Sequence, residues 1–173
     1  MRGKDKDMNN YDYKIGKLNG ILKAFEWVNS KTNNGYDFTI EVLTGDDDLK
    51  HLATSHLKNW YPNANVTSKP VENWRDEFSE TLQEWLFEYV LTDKNSSHSD
   101  DKLQEINSSF TLFDPTSRED FINNFCDDLE NALEIIEVIS IIIETDEWYE
   151  AYWHDFAFKG KNGALFIHLG VSD

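Results

Sequence analysis

The stretch that decides the fold is residues 135–171, which read IIEVISIIIETDEWYEAYWHDFAFKGKNGALFIHLGV. Its first part, Ile135–Ile143, is dominated by β-branched residues, which favour a central strand. Two further strands are predicted over Trp148–Lys159 and Ala164–Val171. Between them lies Asn162-Gly163, a dipeptide that suits the two-residue turn of a β-hairpin. The C-terminal third is therefore predicted to be an antiparallel β-meander.

Upstream of the meander, apolar residues recur at helical spacing in four segments and alternate with polar residues in one. The helical segments are residues 11–29, 46–60, 70–91 and 116–133, and the alternating segment is residues 36–43. Pro70 is well placed at a helix start, and Thr116 with Glu119 matches a capping box. The pattern predicts an α+β fold with about four helices packed on one face of an antiparallel sheet.

The chain has 173 residues, which is the size of one domain. Residues 1–10 are predicted to form a flexible tail, and residues 11–173 a single α+β domain. Within that domain, residues 93–109 are polar and rich in serine. We expect them to form a long surface loop.

Charge is the strongest compositional signal. Sixteen Lys and Arg residues stand against 33 Asp and Glu residues, for a formal net charge of −17 and a pI of about 4.5. A surface this negative repels nucleic-acid phosphates and anionic lipids, so we expect neither as a direct partner. It would attract a basic protein, although acidity that serves only solubility explains the same composition.

Several classes of site have no motif in this chain. Its single cysteine, Cys126, excludes an intramolecular disulfide and a zinc site built from cysteines. The sequence contains no phosphate loop, no nucleophile elbow and no dinucleotide fingerprint. No apolar stretch follows the N-terminus, and the longest apolar run is shorter than the roughly 20 residues that span a bilayer. We therefore expect a cytoplasmic protein that uses no cofactor.

Two residues of the predicted hairpin are candidate catalytic groups. If Asn162-Gly163 forms the turn, Ala157 lies opposite His168, and Asp155 becomes a diagonal neighbour of His168 on the same sheet face. A carboxylate that orients an imidazole is the minimum equipment of a general base. An ordinary cross-strand polar pair explains the pattern equally well, and we favour that simpler interpretation.

No metal site is predicted. His51 and His56 are five residues apart on a helix and do not share a face, as paired ligands would. The triplet Asp46-Asp47-Asp48 lacks the Gly and Glu spacing of a calcium loop.

Two predicted helices carry many carboxylates. The segment from Asp114 to Asn131 has six acidic residues against one basic residue, Arg118. A solvated helix face explains any single cluster of carboxylates, but it explains the total number of carboxylates less well. The predicted partner-binding residues are Asp114, Glu119, Asp120, Asp127, Asp128, Glu130, Glu77, Glu80, Glu84 and Trp153.

Three functional hypotheses follow. The first is a non-catalytic protein that neutralises a basic partner, such as a bacterial toxin or a nucleic-acid enzyme. In general character, the chain resembles the immunity proteins of bacterial toxin systems and phage-encoded inhibitors of host defence. The second is an enzyme that uses Asp155 and His168. The third is an adaptor subunit, for which we expect an exposed apolar patch around Trp148, Tyr149 and Trp153.

Overall fold

A five-stranded antiparallel sheet forms the centre of the fold, with strand order β1-β5-β4-β3-β2. The computed structural model describes residues 4–30, 35–88 and 114–172. In chain order, its elements are α1 (Lys4–Asn29), β1 (Gly35–Leu43), α2 (Leu49–Lys58), β2 (Asn65–Pro70), α3 (Trp74–Gln83) followed by a π-helical turn (Glu84–Glu88), α4 (Pro115–Leu133), β3 (Ile135–Glu144), β4 (Tyr152–Gly160) and β5 (Gly163–Ser172). The predicted α+β class and the C-terminal meander are confirmed.

Helices α1, α3 and α4 cover one face of the sheet, which we call the first face. The apolar side chains of these helices meet the inward side chains of β1, β4 and β5 there in the larger hydrophobic core. Its largest fully buried side chains include Phe38, Phe78, Trp85, Phe156 and Phe158. The aromatic rings meet edge to face or tilted, as the Phe78 ring does against that of Phe158 at 5.1 Å.

Helix α2 lies on the second face of the sheet. Leu49, Leu52 and Leu57 of this helix pack with Ala157 and Phe166 in a second, smaller core. The expectation that the helices cover one face is therefore corrected, because α2 buries part of the other. The small side chain of Ala157, which is fully buried, lies within this core beneath the helix.

The β4–β5 hairpin closes one step earlier along the chain than predicted. Gly160 pairs with Gly163, so Lys161 and Asn162 are the two turn residues, and Asp155 lies directly opposite His168. The predicted register, with Ala157 opposite His168, is wrong by two residues. A shift of two leaves every side chain on the same face, because side chains alternate with a period of two.

Contacts with the end of α4 explain this turn. The backbone N–H of Asn162 donates to the carbonyl of Leu133 at 3.1 Å, and its side-chain amide donates to the carbonyl of Ala132 at 3.0 Å. Gly160 lies so close to the backbone of Leu133 that a Cβ atom there would be 2.1 Å from its carbonyl oxygen. The hairpin tip is therefore fixed by the helix as well as by turn preferences.

Three predicted boundaries also change. Asp114, not Thr116, caps α4, and its side chain accepts from the N–H of Ser117. Pro70, predicted at a helix start, instead ends the edge strand β2, and α3 begins at Trp74. Helix α1 begins at Lys4 and so includes most of the segment expected as a tail. The loop predicted over residues 93–109 lies outside the described residues.

Candidate functional site

Strands β4 and β5 bring Asp155 and His168 into contact on the second face of the sheet. The Nδ1 atom of His168 is 2.6 Å from Oδ1 of Asp155. Asp155 is 1% exposed and His168 is 7% exposed. A buried carboxylate this close to an imidazole forms a strong, charge-assisted hydrogen bond when the imidazole is protonated.

The connection between β3 and β4 supplies two further groups. The hydroxyl of Tyr149 donates to Oδ2 of Asp155 at 2.6 Å, so both oxygens of that carboxylate are occupied. Oε1 of Glu150 is 3.8 Å from Nε2 of His168, and Oε2 of Glu150 is buried without a hydrogen-bond partner. The polar roles of Tyr149 and Glu150 could not be predicted from the sequence, because a connection between strands has no periodicity that indicates where its side chains point.

Gly170 leaves the space in which the His168 ring lies. The two residues are two apart on β5 and therefore share a face. A Cβ atom on Gly170 would be 2.4 Å from Nε2 of His168 and 3.0 Å from Cγ of Glu150. A glycine within a strand often marks such a close approach. Gly170, two residues after His168, is therefore a feature of the sequence that could have indicated a crowded site at this histidine.

The surrounding carboxylates set the protonation of the pair. Burial lowers the pKa of His168, but hydrogen bonds to Asp155 and Glu150 and the charges of Asp155 and Asp37 outweigh it and raise that pKa to about 9. Burial, followed by the charge of Asp155, raises the pKa of Tyr149. At neutral pH, His168 is therefore a cation. A protonated imidazole has no free lone pair, so this geometry disfavours the general-base role considered for Asp155 and His168.

A cleft of about 250 Å³ opens beside the pair. It lies between the Asp37–Glu41 part of β1, the C-terminal end of α2 and the β3–β4 connection. Its polar lining includes Asp37, Glu41, His56, Tyr61, Glu150 and His168. His56 is 3.8 Å from Glu41, whereas His51 lies near Asp47 and away from this cleft. The two histidines of α2 do not converge.

A second cleft lies on the first face, where β3 and β4 separate. Their pairing ends at Ile141 and Asp155, and α3 covers the gap. The resulting cleft has a volume of about 500 Å³. Three carboxylates line one side, those of Glu77 and Glu80 on α3 and that of Glu84 at the start of the π-helical turn that follows it. Tyr152 and His154 line the other, and no Lys or Arg is among the described residues that line it. We call this the acidic cleft.

Five of the nine predicted partner-binding carboxylates have internal contacts. Asp114 caps α4. Asp127 pairs with Arg75, and Asp128 accepts from Lys17 at 2.6 Å. Glu130 accepts from the backbone N–H of Ile135 at 3.2 Å, and Glu84 lies 3.4 Å from the hydroxyl of Tyr152. Glu84 and Tyr152 both line the acidic cleft. The other four side chains contribute negative charge, but they are less available for new contacts.

The remaining predicted residues divide between two regions. Glu119 and Asp120 on α4, and Glu77 and Glu80 on α3, are exposed to solvent. Trp153 is half-buried and packs in the smaller core of the second face, where its ring meets that of Tyr149 edge to face at 5.3 Å. The Trp153 side chain therefore lies away from the α4 carboxylates with which it was grouped.

Comparisons with known proteins supply no relative, because no protein-family model, curated protein or solved structure matches the chain. Over the described residues, no helix combines the length and the apolar character needed to cross a membrane. Inference about function therefore starts from the two clefts and the charge around them.

Proposed function

We propose that this protein is a non-catalytic binding protein that neutralises a basic protein partner, in the manner of an immunity protein or an inhibitor of a nucleic-acid enzyme. The observation that supports this most directly is the acidic cleft. Glu77, Glu80 and Glu84 line it together, and the described residues around it include no Lys or Arg. A Lys or Arg side chain of the partner would supply the missing positive charge.

The spacing of these glutamates supports a role beyond solubility. Glu77, Glu80 and Glu84 are separated by three and four residues, so they lie on one face of α3 and of the helical turn that continues it. Like charges at these spacings destabilise a helix by about 0.2–0.5 kcal/mol for each pair. The arrangement therefore carries a cost in stability, and a cationic ligand would remove it.

The opposite side of the cleft suits the same ligand. Tyr152 stacks on Trp85 with 5.4 Å between ring centroids. The Nδ1 atom of His154 accepts from Nε1 of Trp85 at 2.8 Å. These contacts hold two aromatic rings at the cleft, and aromatic faces attract guanidinium and ammonium groups. Arg fits this combination of carboxylates and rings best, because it can pair and stack at once.

The contact surface extends from the acidic cleft towards α4. Glu80 lines both this cleft and a groove of about 700 Å³ between α3 and α4. Glu119 lies on the far side of that groove. A partner seated on α3 would therefore meet exposed carboxylates of both helices. If its own cationic groove normally holds nucleic-acid phosphates, this surface would occupy that groove and block the partner's substrate.

The other two hypotheses have less support. A general base requires a neutral imidazole, and the carboxylates around His168 favour the charged form. An adaptor requires a continuous apolar patch. Trp148 is 67% exposed, but Tyr149 and Trp153 pack against the smaller core.

The test is affinity capture from the lysate of the native host, with matched variants. The cleft variant carries Glu77→Gln, Glu80→Gln and Glu84→Gln. The control carries Asp46→Asn, Asp47→Asn and Asp146→Asn, which removes as much charge from exposed positions elsewhere. We expect the wild type and the control to retain one basic protein at low salt and release it at high salt, and the cleft variant to lose it.

The captured protein is then purified, and its activity is measured with and without the wild-type chain. Inhibition by the wild type, with much weaker inhibition by the cleft variant, is the expected result. Equal capture and equal inhibition by both variants would overturn the proposal.

A further inference from the structure

Three side chains from separate parts of the chain converge at the cleft on the second face. Asp37 comes from β1, Glu150 from the β3–β4 connection and His168 from β5. One potential ligand atom of each lies within 4.8 Å of the others. A tetrahedral Zn²⁺ site has bonds of about 2.0–2.1 Å, which place ligand atoms roughly 3.4 Å apart. The 3.8 Å between Nε2 of His168 and Oε1 of Glu150 needs only a small contraction to match.

The environment of His168 is that of a metal ligand. Its Nδ1 atom is held by Asp155, and Asp155 is held in turn by Tyr149. This arrangement fixes the ring and directs Nε2 towards Glu150 and the cleft. A histidine that binds a metal through one ring nitrogen commonly donates a hydrogen bond from the other nitrogen to a carboxylate. That bond fixes the ring and increases the basicity of the nitrogen that binds the metal.

A second, independent observation is the state of Glu150. Its Oε2 atom is buried and has no hydrogen-bond partner. A buried polar atom without a partner costs free energy, and the cost is larger for a carboxylate. A cation bound by both carboxylate oxygens of Glu150 would satisfy this atom.

The third potential ligand, Asp37, lies on the open side. Its side chain is 54% exposed, and Oδ1 pairs with Lys23 at 3.1 Å. Asp37 also lines the cleft. With two carboxylates and one imidazole, the protein supplies three ligands, and the cleft leaves room for water at a further position.

We propose that Asp37, Glu150 and His168 bind one divalent transition-metal cation such as Zn²⁺. The cation displaces the proton from Nε2 of His168, which becomes the nitrogen ligand, and Asp155 orients the ring. The ligands lie far apart in sequence, which is why ligand spacing along the chain predicted no metal site. This site is independent of the acidic cleft, which lies on the other face of the sheet.

The test is calorimetric titration of chelator-treated protein with Zn²⁺, followed by Co²⁺ with visible absorption spectra. We expect one saturable site per chain and absorption bands of bound Co²⁺. Asp37→Asn should weaken binding at least about tenfold and His168→Gln should abolish it. His51→Gln and Asp46→Asn, at exposed positions outside the cleft, should leave it unchanged.

Nuclear magnetic resonance of the histidine ring nitrogens provides a readout separate from affinity. Zn²⁺ should shift the Nε2 signal of His168 and leave the His51 signals in place. If His168→Gln does not fold, Asp37→Asn and this spectrum decide the matter. Absence of a one-to-one site, binding unchanged by Asp37→Asn, or a His51 shift without a His168 shift would show adventitious binding only and overturn the proposal.

Discussion

His168 lies directly opposite Asp155 across the β4–β5 ladder, with its Nδ1 atom 2.6 Å from Oδ1 of Asp155. Both side chains are buried on the face that α2 only partly covers. If one partner of such a buried pair loses its charge, the other charge is left buried without compensation, which destabilises the fold. The stability of this protein should therefore report the protonation of one histidine.

The first prediction concerns pH. The pKa of His168 is about 9 in the folded protein against an ordinary value of 6.5, so the folded state binds the proton more tightly than the unfolded state. The resulting stabilisation is fully present below the ordinary pKa and is lost as the pH rises through about 9. It is on the order of 3 kcal/mol. Denaturant unfolding across this range should show the decrease.

The control for the pH prediction is His168→Gln, which removes the titrating group. This variant should be less stable, because it leaves the Asp155 carboxylate buried without a cation. It should also lose the decrease in unfolding free energy between neutral and alkaline pH. A variant that keeps the same pH dependence would assign that decrease to other groups.

The second prediction concerns the hydroxyl of Tyr149. Tyr149→Phe removes its 2.6 Å bond to Asp155 and should lower the free energy of unfolding by about 1.5–3 kcal/mol, as expected for a hydrogen bond to a charged group. Tyr13, which is 72% exposed, provides the matched control. Tyr13→Phe should change stability by less than about 0.5 kcal/mol. Equal effects of the two substitutions would contradict the assigned role of Tyr149.

The third prediction compares two glycines. Gly170→Ala would place a methyl group 2.4 Å from Nε2 of His168 and should destabilise the protein by about 1–3 kcal/mol. Gly20 lies in α1, where an added Cβ meets nothing within 4 Å. Gly20→Ala should instead stabilise the protein by up to about 1 kcal/mol. Thermal unfolding of both variants checks the opposite signs, and a neutral Gly170→Ala would show that the ring can move freely.

The fourth prediction separates binding from stability at the acidic cleft. Replacing Glu77, Glu80 and Glu84 with Gln removes repulsion along α3. The cleft variant should therefore be as stable as the wild type or more stable, by a few tenths of a kcal/mol for each relieved pair. Denaturant unfolding measures this, and a large loss of stability would show that these carboxylates support the fold instead.

Much of the fold could be predicted from local patterns. The stripe of Ile15, Leu18 and Leu22 in α1 and the β-branched run of β3 both lie where expected. Strand β2 could not be found in this way. It is an edge strand with one neighbour, and all six of its side chains are exposed or half-buried, so it has no apolar alternation.

The candidate site was predictable only in part. Asp155 and His168 were correctly predicted to lie on one face of the sheet. Side chains alternate between the two faces along a strand, so an error of two residues in register does not change the face on which a side chain lies. The turn at Lys161 and Asn162 was missed because the end of α4 fixes it. Glu150 was not predicted, because it lies in the β3–β4 connection, where no periodic pattern in the sequence indicates that its side chain reaches His168.

The most direct test of the central claim is the association rate of the captured basic protein with the wild type, the cleft variant and the matched control at increasing salt. If the acidic cleft binds the partner, the cleft variant should associate about tenfold more slowly at low salt and show a weaker salt dependence. The control should follow the wild type. Equal rates for all three proteins at every salt concentration would contradict the claim that the acidic cleft is the binding surface.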